Sequence, residues 1–421
     1  MDFTQTETQR EIAGLAQFCL GGSDPPQTPP AHGGAARPPV PPAGGATRPP
    51  VPPAGEASPP SPLAPHTLAG EASPSPRARP PVPSSSRPPV HAPSQWDRGM
   101  WKKLAKAGLL SLALPSWLDG DELGIGDVAT LLTEVGRSGA AVPAYATLAV
   151  GVLPAVRWAG RELAEDLLTG VGTGDTVLTA ALREPSDPLP ALPSTVASLS
   201  GSGGTVSGVK VGVPYCAEAR RVLLPASTAD GGVTVAVIDP ANATVTRTHT
   251  SGGEPEYTLR LDETPVLGVL ADGALEGLYQ LAIAGACAVA DGALAAALDL
   301  TTGHIGTREQ FGRPLATFQA AAQHVADVYI ASRTLHLAVT SACWRLAEGL
   351  DADSDLDVAA YWLASRAPKA MLTCHHLHGG MGMDVTYPLP RLSGLVKDLV
   401  RLVGGTDYRL DRLAGDTAGR S

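Results

Sequence analysis

Proline is spread so unevenly along this chain that it divides the sequence before any other signal is considered. Of the 40 prolines, 24 fall between Gly21 and Gln95, mixed with Gly, Ala, Ser and Arg. Proline fixes φ and removes a backbone donor, so a stretch this rich in it can build neither helix nor sheet interior and buries too few side chains to form a core. Within it, Arg37-Pro-Pro-Val-Pro-Pro-Ala-Gly-Gly-Ala-Thr47 is followed by Arg48-Pro-Pro-Val-Pro-Pro-Ala-Gly-Glu-Ala-Ser58, an 11-residue repeat. A disordered, solvated polyproline II tether is therefore expected for residues 21–95. PxxP-like runs also dock in SH3-type grooves, but a neutral tether or insertion is the preferred reading. Helical pattern spans residues 6–20 and resumes at Gln95, so the segment reads as an insertion within a helical domain rather than a linker between two.

The rest of the chain changes period twice. Residues 95–168 are helical with breaks: Trp101-Lys-Lys-Leu-Ala-Lys-Ala-Gly-Leu-Leu keeps one apolar face, and Val128, Leu131, Leu132 and Val135 recur at helical spacing. Between residues 176 and 268, Val/Thr-rich runs (206–213, 221–224, 232–238, 244–248, 257–261) alternate with Gly, Pro, Asp and Asn turns, the pattern of antiparallel strands. Helical spacing returns after Asp272, with long helices expected over 275–302, 315–350 and 354–378. The order is helical (residues 1–178), then β (179–268), then a helical bundle (269–421), an α+β multidomain chain that is mainly α.

Composition closes off several function classes. With 18 aromatic residues among 421, and 47 glycines, small residues must fill the core. The longest apolar stretch, residues 281–300, is Ala- and Gly-rich and carries Asp291 and Asp299, so a buried helix is expected there and no membrane span. A net charge of −10 lacks the footprint of a general nucleic-acid binder. Five scattered cysteines, never in a CxxC spacing, argue against a disulfide framework and a zinc site. The N-terminus shows no basic region leading into an apolar run, so a cytoplasmic location is expected.

Two segments carry chemistry. Thr307-Arg-Glu-Gln-Phe-Gly-Arg-Pro-Leu-Ala-Thr-Phe-Gln319 lies between the first two long C-terminal helices, and an Arg fork there suits a diphosphate bidentately. Cys374-His-His-Leu-His-Gly-Gly-Met-Gly-Met-Asp-Val-Thr-Tyr-Pro-Leu-Pro-Arg391 contains adjacent glycines that let backbone approach a ligand closely. Its histidines lack i, i+4 geometry with a carboxylate, so no metal is expected. Both segments closely resemble signatures of the acyl-CoA dehydrogenase family. Weaker likenesses are the segment Lys106 to Asp127, Leu182-Arg-Glu-Pro-Ser-Asp for the family's T-E-P loop, Gly208-Val-Lys-Val for its flavin-facing strand, and Lys397-Asp398 for its R-D pair.

The resemblance implies an N-terminal helical domain, a middle antiparallel β-barrel and a C-terminal four-helix bundle. It also implies FAD as cofactor, shared between subunits, with the nucleotide half contacted by Arg308, Gln310, Phe311, His376, Gly379 and Gly380. For the thioester α-proton it implies a carboxylate, seated either immediately before Tyr-Pro, where this chain has Thr386, or 26 residues before Arg308, where it has Ala282. Neither residue ionises near neutral pH. Asp384 is a candidate substitute, with a local turn role as its plainer explanation. The Trp and Thr expected to face the flavin ring are replaced by Gly212 and Pro214, and Gly404-Gly405-Thr406 resembles an E-G-T turn without its Glu.

A chain that keeps the nucleotide contacts while losing the ring cleft and the base is similar to the non-catalytic subunit of actinobacterial heteromeric acyl-CoA dehydrogenases acting on steroid side chains. That implies a homologous catalytic subunit as partner in an α2β2 assembly, and an acyl-CoA substrate. The alternatives are a self-sufficient homotetramer with a displaced base, and a flavin-free scaffold.

Overall fold

The computed structural model describes residues 4–21, 96–200 and 203–419. The Pro-rich segment and its repeat lie outside these residues, Gly21 excepted.

Helix α1 (Glu7–Cys19) starts at a capping box: Thr6 Oγ1 accepts from Gln9 N–H at 3.1 Å and the Gln9 side chain accepts from Thr6 N–H at 3.2 Å. Helix α2 (Arg98–Lys106) is capped by Asp97, which accepts from Met100 N–H, and ends with Lys103 and Lys106 in the turn where cations suit the helix dipole. Helix α3 (Ile125–Ser138) stops at Gly139, in the left-handed region at φ 63°. A π-helical stretch, Tyr145–Val152, then runs into α4 (Leu153–Trp158) and α5 (Arg161–Leu168). Ile12, Ala16, Trp101, Leu104, Leu131 and Leu132 belong to one continuous core beneath these helices.

The middle of the chain forms β1 (Leu178–Ala180), β2 (Val196–Ser200), β3 (Gly203–Pro214), β4 (Arg221–Thr228), β5 (Val233–Ile238), β6 (Thr244–Thr248) and β7 (Glu256–Val269). Pairing runs β4–β2–β3–β7–β5 and back to β4, so five strands close into a barrel with no free edge; β1 adds to β4 and β6 to β7. The expected strands are present, and two more appear. Both of those, β1 and β2, lie parallel to β4, so the barrel is mixed rather than purely antiparallel. Long connections permit this, because parallel neighbours need a crossover rather than a hairpin.

The C-terminal part opens with α6 (Ala274–Thr307), a single helix of 34 residues. It is long and apolar enough to cross a membrane, but 89% of its most apolar window is buried inside the protein, the position of a core helix. A short hairpin of β8 (Glu309–Gln310) and β9 (Arg313–Pro314) follows, then α7 (Gln319–Ala347), α8 (Asp353–Ser365), α9 (Ala367–His378), α10 (Pro388–Leu402) and α11 (Gly405–Gly419). The helix expected over 354–378 is two helices. Pro368 lacks an N–H for the preceding turn and starts α9 after a break at Arg366.

Small residues let backbones touch. A Cβ at Gly136 of α3 would sit 1.9 Å from the Val289 carbonyl oxygen of α6, and one at Gly292 would sit 1.8 Å from that of Thr133.

Candidate functional site

The residues singled out from the sequence separate into two places. The first is an exposed patch where α6 ends. Arg308 caps α6 in extended conformation, and Leu315 N–H donates to its carbonyl at 2.8 Å, closing the β8–β9 hairpin. The two-residue turn is Phe311 (φ 53°) and Gly312 (φ 77°), both left-handed as a type I′ turn requires. Glycine adopts this freely, whereas Phe311 is strained by about 1–2 kcal/mol. The hairpin holds Phe311 with 92% of its surface exposed, its ring edge-on to Phe318 at 6.1 Å, and Arg313 stacks over Phe318 at 4.2 Å. Arg308 and Gln310 are exposed, and their side chains make no hydrogen bond or ion pair among the described residues. The hairpin thus presents a strained aromatic residue to solvent beside an exposed guanidinium.

The second glycine-rich segment is joined to this patch by one ring contact. His304, four residues before Arg308, stacks on His378 with centroids 4.6 Å apart and planes 15° apart. His378 is buried and immediately precedes Gly379. Its Nδ1 donates to the Cys374 carbonyl at 2.8 Å, and its Nε2 lies 3.2 Å from the Tyr387 hydroxyl. Burial, followed by the neighbouring His378 and Arg308, pushes the His304 pKa down. Gly379 and Gly380 are exposed with open space where a Cβ would stand, and Gly379 has φ 59°. His376 is exposed, its ring edge-on to His324 at 5.6 Å. Among the described residues, no cluster of three or more His, Cys, Asp or Glu is arranged for a metal.

The second place is a cleft between the barrel and the helices, enclosed by Tyr145, Ala180, Leu182, Arg183, Gly212, Pro214 and Leu402. It brings together Gly212 and Pro214 with Arg183, which belongs to the segment resembling the family's T-E-P loop and was not singled out from the sequence. Val211 N–H donates to the Arg183 carbonyl at 3.0 Å, and the Arg183 guanidinium lies over Gly212, whose added Cβ would meet Nη1 at 2.7 Å. The cavity left measures about 10 Å³, roughly what one water molecule needs. A tricyclic flavin ring does not fit it.

No carboxylate enters this cleft. Ala282 abuts it, its carbonyl accepting from the Tyr145 hydroxyl at 3.3 Å. Gly404, two residues past Leu402, has φ 93°, and a Cβ there would lie 2.5 Å from the Tyr408 ring and 2.9 Å from Pro188, so no side chain is accommodated. Glu184 is adjacent in sequence but fully engaged. It accepts from Lys210 Nζ at 2.8 Å, Thr195 Oγ1 at 2.7 Å, Thr195 N–H at 2.9 Å and Ser194 N–H at 2.7 Å. Burial raises its pKa, but these four donors outweigh that and bring it down to about 2. Such a carboxylate has no affinity left for a substrate proton.

Thr386 lies outside this cleft, on the exposed loop between α9 and α10, so a residue at that position would not face a ring held there. Asp384 is exposed on the same loop and accepts from Thr386 N–H at 2.9 Å and Thr386 Oγ1 at 2.8 Å, which lowers its pKa. It acts as a turn cap.

Comparison with known proteins gives a consistent set. Residues 276–411 match the family model described as acyl-CoA dehydrogenase, C-terminal domain. The chain is 48% identical over 315 residues to the acyl-CoA dehydrogenase FadE28 of Mycobacterium tuberculosis, covering 74% of this chain and 91% of FadE28. A variant of the Tcur3481–Tcur3483 steroid ACAD superposes with a TM-score of 0.73 at 34% identity, over 77% of this chain and 89% of that one. The ChsE4–ChsE5 complex of M. tuberculosis gives a TM-score of 0.78 at 26% identity, over 99% of both chains.

Proposed function

This chain belongs to the acyl-CoA dehydrogenase family, and we propose that within it the chain is the non-catalytic member of a hetero-oligomer that desaturates acyl-CoA thioesters with sterol-derived acyl chains. The family's members are FAD flavoproteins that oxidise acyl-CoA. The partner is a homologous dehydrogenase subunit, in an α2β2 assembly, that brings the ring cleft and the ionised carboxylate the reaction requires. The present chain brings the contacts to the nucleotide half. The domain division at residues 178/179 and 268/269, with a C-terminal four-helix bundle and a cytoplasmic location, is part of the same reading.

The observation that carries it is the contrast between the two places described above. One is a closed, acid-free cleft; the other is an exposed patch of donors with no partners of their own. Arg308 offers paired N–H groups matched to a diphosphate, Gln310 an amide, Phe311 an apolar ring, and Gly379 and Gly380 backbone open to close approach. His376 extends the patch from α9. FAD, when bound, supplies the hydride acceptor. The steroid description of the Tcur3481–Tcur3483 relative supports the substrate class, and the paired chains of both solved relatives support a homologous partner.

The test is co-expression with a homologous dehydrogenase chain that carries a base Glu. The pair should hold one flavin for every two chains and reduce an artificial acceptor with a steroid side-chain CoA thioester, whereas this chain alone should do neither. Arg308→Ala should lower FAD retention by the pair by about 10- to 100-fold, the value of one or two charge-assisted hydrogen bonds. Full flavin occupancy and unaided turnover by the isolated chain would refute the reading.

A further inference from the structure

We propose that Arg183 is a built-in occupant of this chain's own ring cleft, filling the space a flavin ring would take and so confining flavin to clefts supplied by another chain. This goes beyond the loss of ring contacts read from the sequence. A cleft that has merely lost contacts is an empty cleft, and an empty apolar cavity can still take up a ring of suitable size. Here the space is occupied.

Three observations carry the assignment. First, the position is fixed by backbone: Arg183 is bridged to Val211, so its side chain is directed across the strand at Gly212 rather than out along a loop. Second, the fit is reciprocal. Gly212 sits at φ 66° with no side chain, and any Cβ there would strike the guanidinium at 2.7 Å, so the Arg and the Gly accommodate each other as a pair. Third, the guanidinium closes no salt bridge among the described residues, being drawn only at longer range toward Glu256. Its Nε is buried with no acceptor among the described residues, and the nearby Glu256 carboxylate gives both its oxygens to Arg401, at 2.8 and 2.6 Å. An Arg that costs desolvation and makes no salt bridge is held for its bulk. Burial accordingly pushes its pKa down.

The probe that isolates this step is lumiflavin, which has the ring system but no nucleotide and so owes nothing to the hairpin at Arg308. With the full-length chain, Arg183→Ala should bind lumiflavin saturably and at least about tenfold more tightly than the native protein, read by fluorescence quenching. Arg183→Lys, still long and cationic, should stay close to native. Methylguanidinium, refilling the vacated volume, should compete lumiflavin out of the alanine variant. The proposal is overturned if a folded Arg183→Ala protein, by circular dichroism and melting, binds lumiflavin no better than native, or if the native chain already binds it tightly. Should the alanine variant not fold, Arg183→Thr decides by the same measurement. Because Arg308→Ala alters FAD retention by the pair but not lumiflavin binding, a failure of the hairpin reading is seen separately.

Discussion

Glu184 and Lys210 show how much one buried pair can govern. Lys210 is fully buried and Glu184 nearly so, and the carboxylate takes four donors. With its folded pKa near 2 against an ordinary unfolded Glu value, Glu184 contributes about 3 kcal/mol that is fully present above roughly pH 4.5. That contribution is lost as pH falls from there toward 2, since the unfolded chain then takes up the proton first. Chemical-denaturation midpoints measured between pH 6 and 2 should therefore show a difference between native and Glu184→Gln protein that is largest at the neutral end and shrinks with acid. A constant difference would mean that the Glu184 charge plays no part. Lys210→Met should cost about 3–5 kcal/mol near neutrality, because it leaves a buried carboxylate without its cation.

At the level of elements, the close α3–α6 crossing predicts a reversal of the usual helix rule. Gly to Ala inside a helix ordinarily stabilises by roughly 0.5–1 kcal/mol. At Gly292, where the new methyl would lie 1.8 Å from a carbonyl oxygen, overpacking of about 1–3 kcal/mol outweighs that gain and forces the helices apart. Gly303 on the same helix has open space around it. Urea midpoints should thus fall for Gly292→Ala and rise for Gly303→Ala. Equal shifts for both would show that the crossing is not set by backbone contact.

The whole molecule presents large apolar residues on the outer side of its C-terminal helices: Tyr329 and Ile330 on α7 are 57% and 56% exposed, and Leu372 on α9 is 71% exposed. Burying such side chains against another subunit would favour association. They lie on the helices that flank the Phe311 hairpin and the Gly379 turn, so a subunit whose flavin reaches that patch would cover them. Ile330→Glu or Leu372→Glu should reduce co-purification with the homologous dehydrogenase subunit while leaving the melting temperature of the isolated chain within about 2 °C of native, as expected for a surface substitution. Unchanged association would remove these helices from the interface.

What the sequence determined by itself is what local rules encode. The period of the helices and the alternation of the strands depend on residues a few positions apart, so inspection finds them to within a few residues. The absence of an acid at residues 282 and 386, the two seats the family resemblance implies, is likewise plain from the letters. Only the tertiary structure decided the rest. The parallel placement of β1 and β2 on β4 is set by long connections, and the stack of His304 on His378 by helix ends 74 positions apart. The same holds for Arg183. It was not singled out along the chain, and its role as a filler emerges only where Tyr145, Gly212 and Leu402, from three distant parts of the chain, close around it. Local propensity is a property of neighbours in sequence, whereas the volume of a cleft is a property of neighbours in space, and no pattern along the chain records it.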